Sequence, residues 1–358
     1  MGLRVIAGFI LLAVFMPVGC AETPAAGHGV ILAYHHVATD TPPSTSVTPA
    51  TFAAHLDYLA EHQFHVWPLS KLLYHLDAGK PVPEDTVALT FDDAYASVFT
   101  EVLPRMKARG WPFTIFVSTD YIDKEFNGYM TWDQLREAAR HGAELGNHSR
   151  AHPHLVRRGA EESGEAWRER IRAQIVTAQQ RLAAETPAPV KIFAYPYGEY
   201  TRAVTEVVGD LGFYGVGQQS GAVGSAADLR AVPRFPMATG FAGLETFATK
   251  LNSRPLPVTV LAPEEPFLGG APGRPALRLQ LGEGPFRLDQ LACYASGQGR
   301  MDMTWVDRKR RVVEVTPKQP LVGGGRYKYN CTAPGDDVYY WYSHLWMKRN
   351  KDGSWYRE

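Results

Sequence analysis

The sequence predicts a parallel α/β barrel followed by a small all-β domain, and three observations predict it. Strand-like apolar runs alternate with helix-like segments over roughly 230 residues, the pattern of a parallel sheet wrapped by helices. No glycine-rich dinucleotide fingerprint accompanies them, which leaves the doubly wound open sheet as the weaker alternative. Beyond a stretch dense in Pro and Gly, short alternating runs replace the helix signals, which is an all-β signature.

The elements follow in order. Residues 29–37, GVILAYHHV, read as a buried strand. Thr48-Pro49 opens a helix whose Phe52, Leu56 and Leu59 share a face. TVALTF is a strand, and SVFTEVLPRMKARG a helix closed by Gly110. PFTIFV is a strand, TWDQLREAARHG a helix closed by Gly142, and AELGNH a strand. A long helix places Trp167, Ile171, Ile175, Ala178 and Leu182 on one side. VKIFAYPYG is a strand, YTRAVTEVVGDLG a helix, and FYGVGQ and LRAVPRFPM the last strands. Residues 258–275 read as a linker and 276–358 as a β-sandwich. Alternation in VYYWYSHLWMKR puts Tyr340 and Tyr342 on one face and Tyr339 and Trp341 on the other; with Trp346 they form either a sugar-stacking platform or ordinary packing.

The first 20 residues have one Arg, an apolar stretch from Val5 to Val18, then Gly19 and Cys20. That is an export signal, too short for a comfortable membrane span. It resembles a bacterial lipoprotein signal with Cys20 as the lipidated residue, although Pro17 stands where Leu is usual. Cleavage further on, or an uncleaved anchor, are the alternatives. Residues 21–28 are then a tether, and the protein is periplasmic or anchored to the outer membrane. Export leaves Cys293 and Cys331 as an even pair in an oxidising compartment, expected to form a disulfide. Lys+Arg and Asp+Glu balance at 37 each, which gives no reason to expect a nucleic-acid partner.

Three predicted strands end in reactive groups: Thr90–Asp93 (TFDD), Gly146–His154 (GNHSRAHPH) and Phe193–Gly198 (FAYPYG). In a parallel barrel such strand ends converge on one face. Adjacent Asp92 and Asp93 repel unless a cation offsets them. His148 and His152, four apart, can bring two imidazoles together. Two His and one Asp make an open metal site suited to Zn²⁺, with Co²⁺, Ni²⁺ or Fe²⁺ also compatible.

These three motifs, in this order and spacing, resemble the polysaccharide deacetylases of carbohydrate esterase family 4, the NodB-homology domain. LAYHHV and FAYPYG resemble the branch of poly-β-1,6-N-acetylglucosamine deacetylases. The likeness covers roughly residues 29–257. It implies a distorted (β/α)7 barrel, a metal on Asp93, His148 and His152, and Asp92 as general base. It also implies that the backbone N–H of Tyr197 stabilises the oxyanion and that Tyr195, Pro196, Tyr197 and Gly198 line the acetyl pocket. A polysaccharide substrate is expected, an exopolysaccharide ahead of peptidoglycan or chitin-like chains.

Three departures matter. The Arg that many members carry in the third motif is Ala194 here, and Arg234 in VPRFP is the candidate replacement. The late His that serves as general acid is absent from LPVTVLAP, so the acid is sought at His35, or else at His36. Ala94 replaces the usual Gly, so the turn there is expected not to need a positive φ. A non-catalytic polysaccharide binder and an O-deacetylase acting on acetyl esters are the competing functions.

Overall fold

The computed structural model describes residues 1–2 and 27–357. The expected export signal, Cys20 and most of the tether lie outside the described residues. Among the described residues no helix is long and apolar enough to cross a membrane.

The barrel is built on parallel strands His28–Tyr34, Thr86–Phe91, Phe113–Val117, Ala143–Asn147, Ile192–Ala194 and Tyr214–Val216, which neighbour one another in that order. Phe235–Pro236 pairs in parallel with the far side of the first strand, and a parallel bridge joins Val216 to Val232. Together these draw the sheet's two ends round into a distorted barrel. Thr86–Phe91 and Phe113–Val117 are buried at every position, as parallel strands covered on both faces must be. Gly146 is needed for that closeness, because a Cβ there would stand 2.6 Å from the Phe116 ring.

Helices follow the strands as expected, with one difference. The segment after TFDD starts as a π-helical turn, Val98–Val102, before the α-helix Leu103–Arg109. Pro104 explains it: proline has no N–H to donate, and its ring crowds the carbonyl four residues back, at Thr100. In the long helix Gly164–Glu185, Ile171, Ile175, Ala178 and Leu182 are buried, and Trp167 spans the gap to donate its Nε1–H to the Leu155 carbonyl at 2.8 Å.

The C-terminal part is two sheets. One holds Val258–Ala262, Leu277–Leu281, Val312–Thr316 and Asp302–Asp307. The other is centred on the long strands Gly325–Pro334 and Tyr339–Lys348. Residues 258–275 are therefore more than a connection. Val258–Ala262 pairs with Leu277–Leu281, and Phe267–Leu268 pairs with Tyr339–Lys348. The Pro and Gly that suggest a linker sit at the turns between these strands. Cys293 and Cys331 face each other across neighbouring strands and are joined as a disulfide.

The aromatic strand is covered on both faces, so it makes no open stacking platform. Tyr340, Tyr342 and Trp346 fill the sandwich core. Trp341 meets Phe235 of the barrel edge-on at 5.2 Å, and Leu345 and Met347 join a cluster with barrel residues Leu155, Ile171 and Val204. Of the group, Tyr339 alone is largely exposed. The sandwich is thus seated on the barrel by the second face of that strand.

Candidate active site

The second barrel strand delivers the two aspartates. Its hydrogen bonding continues one residue past Phe91, with the Asp92 N–H donating to the Tyr34 carbonyl at 2.9 Å. The chain then turns through two left-handed residues, Asp93 at φ 72° and Ala94 at φ 57°. The expectation for Ala94 is corrected here: the turn does take a positive φ, and the Ala methyl is held there fully buried. That conformation costs an L-residue roughly 1 kcal/mol or more.

The fourth strand ends at Asn147, whose side chain organises the loop that follows. Its amide donates to the Ile175 carbonyl at 2.9 Å, and its oxygen accepts from the Ser149 N–H at 2.9 Å. Ser149 Oγ in turn accepts from the His152 N–H at 2.9 Å. Ser149 and His152 are both left-handed, at φ 68° and 51°. The folded loop, not helical spacing, brings His152 back beside His148, with ring centroids 4.7 Å apart.

Asp93, His148 and His152 offer donor atoms that all lie within 4.8 Å of one another. His148 Nε2 and His152 Nε2 stand 3.4 and 3.5 Å from Asp93 Oδ1. His148 Nδ1 donates to the Ala194 carbonyl at 2.8 Å, which leaves Nε2, the nitrogen facing Asp93, as the one that can ligate. Burial pushes the His152 imidazole down to about 4, which keeps it neutral at physiological pH. One carboxylate with two imidazoles, converging and buried, fits a divalent cation.

Asp92 points elsewhere. It is fully buried, and Arg234, equally buried, grips it with two bonds: Nη1 to Oδ1 at 2.7 Å and Nη2 to Oδ2 at 2.8 Å. The same guanidinium donates to Thr90 Oγ1 at 3.0 Å and to the Gly217 carbonyl at 2.8 Å. Burial alone would raise the Asp92 carboxyl, but the charge and hydrogen bonds of Arg234 hold it below the ordinary range. Arg234 stands just before the late barrel strand Phe235–Pro236 and brings a guanidinium to Asp92, while Ala194 contributes its carbonyl to His148.

His35 Nε2 lies 3.9 Å from Asp92 Oδ2 and 3.5 Å from the Gln218 amide. His36 stacks on Tyr95 with centroids 3.6 Å apart. In the third motif, Pro196–Gly198 forms a single 3-10 turn with Tyr197 at φ 60°. The Tyr197 ring meets His152 at 4.4 Å and stacks flat on His154 at 3.8 Å. Tyr195 differs from its expected place: its ring is fully buried among Phe193 and Tyr200, and its hydroxyl donates to the Arg230 carbonyl at 2.5 Å. Its side chain belongs to the core, and of the four expected pocket residues it is Tyr197 whose ring reaches the triad.

Sequence reasoning misses several neighbours. His154 and Glu199 adjoin the second and third motifs, and a carboxylate just after a turn motif was a readable signal. Tyr95, Tyr121 and Tyr129 form an aromatic run beside Asp93. Arg326 and Lys328 come from the sandwich and carry no local signal.

Residues 79–216 match the polysaccharide deacetylase family profile. This stretch is a polysaccharide deacetylase domain. Its sequence relatives include the poly-β-1,6-N-acetyl-D-glucosamine N-deacetylase of Escherichia coli K12, 25% identical over 64% of this chain. A putative polysaccharide deacetylase of Bacillus subtilis is 23% identical over 60% of the chain and 72% of its own length. The chain spans 40% of the length of the E. coli relative. Among solved structures, the deacetylase PplD of Streptococcus pyogenes aligns with TM-score 0.56 at 19% identity, covering 62% of this chain and 99% of that one. IcaB of Ammonifex degensii aligns with TM-score 0.54 at 23% identity, covering 62% and 97%. At those identities the likeness shows that the deacetylase domain shares their fold.

Proposed function

We propose that the protein removes N-acetyl groups hydrolytically from a β-linked N-acetylglucosamine polysaccharide, an exopolysaccharide ahead of cell-wall chains. The observation that carries the reading is the division between neighbours: Asp93 converges with His148 and His152, while Asp92 turns away to Arg234. A site that only bound polymer would have no use for a buried carboxylate kept ionised beside a cluster able to hold a metal ion. The E. coli relative acts, by its name, on poly-β-1,6-N-acetyl-D-glucosamine.

Asp93, His148 and His152 would hold a divalent cation, zinc first among the candidates, which would supply Lewis acidity at the site. Asp92 accepts the proton that the attacking water loses. Arg234 fixes the direction of its lone pairs. The Tyr197 N–H donates to the developing oxyanion. His35 gives a proton to the departing nitrogen, since an amide anion is a very poor leaving group. The products are acetate and a free amine. The disulfide and the lipoprotein-like N-terminal sequence agree with an exported enzyme anchored by Cys20.

Metal-loaded protein incubated with N-acetylglucosamine oligomers and with acetylxylan tests the reading, with acetate and amine measured. Acetate with stoichiometric amine is expected from the amide substrate. Acetate from the ester alone would replace the reading with an O-deacetylase, and none from either would leave a binder. Full amide activity in His35→Ala would remove that residue as the acid.

A further inference from the structure

Arg326 and Lys328 stand two residues apart on the sandwich strand Gly325–Pro334, so their side chains leave the same face. Tyr327 and Tyr329, on the other face, pack with the sandwich core. The charged face meets the deacetylase domain at two neighbouring segments. Arg326 Nη1 donates to Glu199 Oε1 at 3.3 Å, and its guanidinium lies 5.5 Å from the centre of the Tyr197 ring. Lys328 Nζ donates to the Gln218 carbonyl at 2.6 Å. The two segments touch each other, since a Cβ on Gly198 would stand 2.7 Å from that of Gln218.

Glu199 is the junction. It is 1% exposed and takes bonds from three directions. Arg326 reaches it from the sandwich, and the Tyr356 hydroxyl from the C-terminal tail. His154 Nδ1 meets its other oxygen at 2.8 Å. His154 in turn stacks on Tyr197, their planes 9° apart. Tyr197 is in a left-handed conformation that persists only where its surroundings over-determine it.

We infer that the sandwich forms part of the deacetylase site, and that through Glu199 it fixes the turn presenting the Tyr197 N–H. Glu199 is then a positioning residue. The sandwich contributes to turnover by holding this turn, independently of any grip on distant sugar units. This rests on the deacetylase reading of the site. A misplacement near 1 Å is enough to cost about 10²-fold in rate, so a loosened turn shows in kcat rather than KM.

The test compares Tyr356→Phe and Arg326→Gln with wild type, using Arg278→Gln, an exposed pair with Glu314 on the other sheet, as control. Amide hydrogen exchange is followed in metal-free protein, and kcat and KM in loaded protein. Both variants are expected to exchange faster at 195–199 while 339–348 stays protected. Each should lose roughly 5- to 50-fold in kcat with KM within about twofold. Arg326→Lys should recover part of that loss, and the control should change neither readout. Unchanged exchange at 195–199, or faster exchange across 339–348 as well, overturns the inference. If wild type releases no acetate, the deacetylase reading fails, while the exchange comparison still decides whether the sandwich fixes the turn.

Discussion

Arg234 holds both carboxylate oxygens of Asp92 from 142 residues further along the chain, with neither side chain exposed to solvent. Breaking such a pair leaves a buried charge without compensation, at a cost of about 3–5 kcal/mol. Arg234→Met is therefore expected to lower stability by that order in urea unfolding and to abolish most turnover. Arg234→Lys should rescue little of either, because an ammonium cannot make two parallel bonds and still reach Gly217. Recovery of wild-type kcat in the Lys variant would show that charge alone suffices.

The triad predicts a stability response to metal. A divalent ion at a hundred times its dissociation constant should stabilise the fold by about 2.7 kcal/mol. The shift should disappear in His152→Ala and in Asp93→Asn, measured as melting temperature with and without Zn²⁺. A shift that survives both substitutions would place the ion elsewhere.

Ala94 is a small test of backbone strain. Ala94→Gly relieves the left-handed penalty but adds freedom to the unfolded chain, so a net gain of up to about 1 kcal/mol is expected. Equilibrium unfolding reads it directly. A loss of stability would mean that the buried methyl contributes more by packing than the turn costs.

His55 predicts a slope of stability with pH. It is 1% exposed, its Nε2–H donates to the Ala242 carbonyl at 2.8 Å, and Nδ1 accepts from the Tyr34 hydroxyl at 3.0 Å. Burial holds it at about 4, below the ordinary 6.5. The unfolded chain then binds the extra proton between those values, so stability is complete above 6.5 and falls as pH drops toward 4. His55→Gln should flatten that part of a plot of urea midpoint against pH. An unchanged slope would assign the effect to other groups such as His28, which burial also lowers to about 4.

The disulfide predicts a redox effect on the sandwich. The bond closes a separation of 38 residues, for which chain entropy gives about 4 kcal/mol and practice 2–4. A Cys293→Ala, Cys331→Ala double variant should melt at a lower temperature. Wild type under reductant should move toward it.

The barrel was legible because its strands are apolar runs ending in charged motifs, and the triad because Asp93 and His148 sit just past such ends, with His152 in the same motif as His148. Ala94 was misjudged because a residue's φ is set by the turn it must complete, and nothing in the side chain announces that. The aromatic strand Tyr339–Lys348 gave its alternation correctly, but periodicity does not say what covers each face, and here the barrel covers the second. Arg326 and Lys328 were missed for a related reason: their contacts with Glu199 and Gln218 are a product of how two domains dock, which no local pattern encodes.

The position of Arg234 has a consequence for how the chain assembles. Asp92 ends the second strand, yet its counter-charge arrives only with the last. Until Phe235–Pro236 pairs with the first strand, that carboxylate lacks the guanidinium that offsets its burial. Barrel closure and the pairing of Asp92 are thus a single event, and a chain caught short of residue 234 would bring Asp93, His148 and His152 together while leaving Asp92 without its counter-charge.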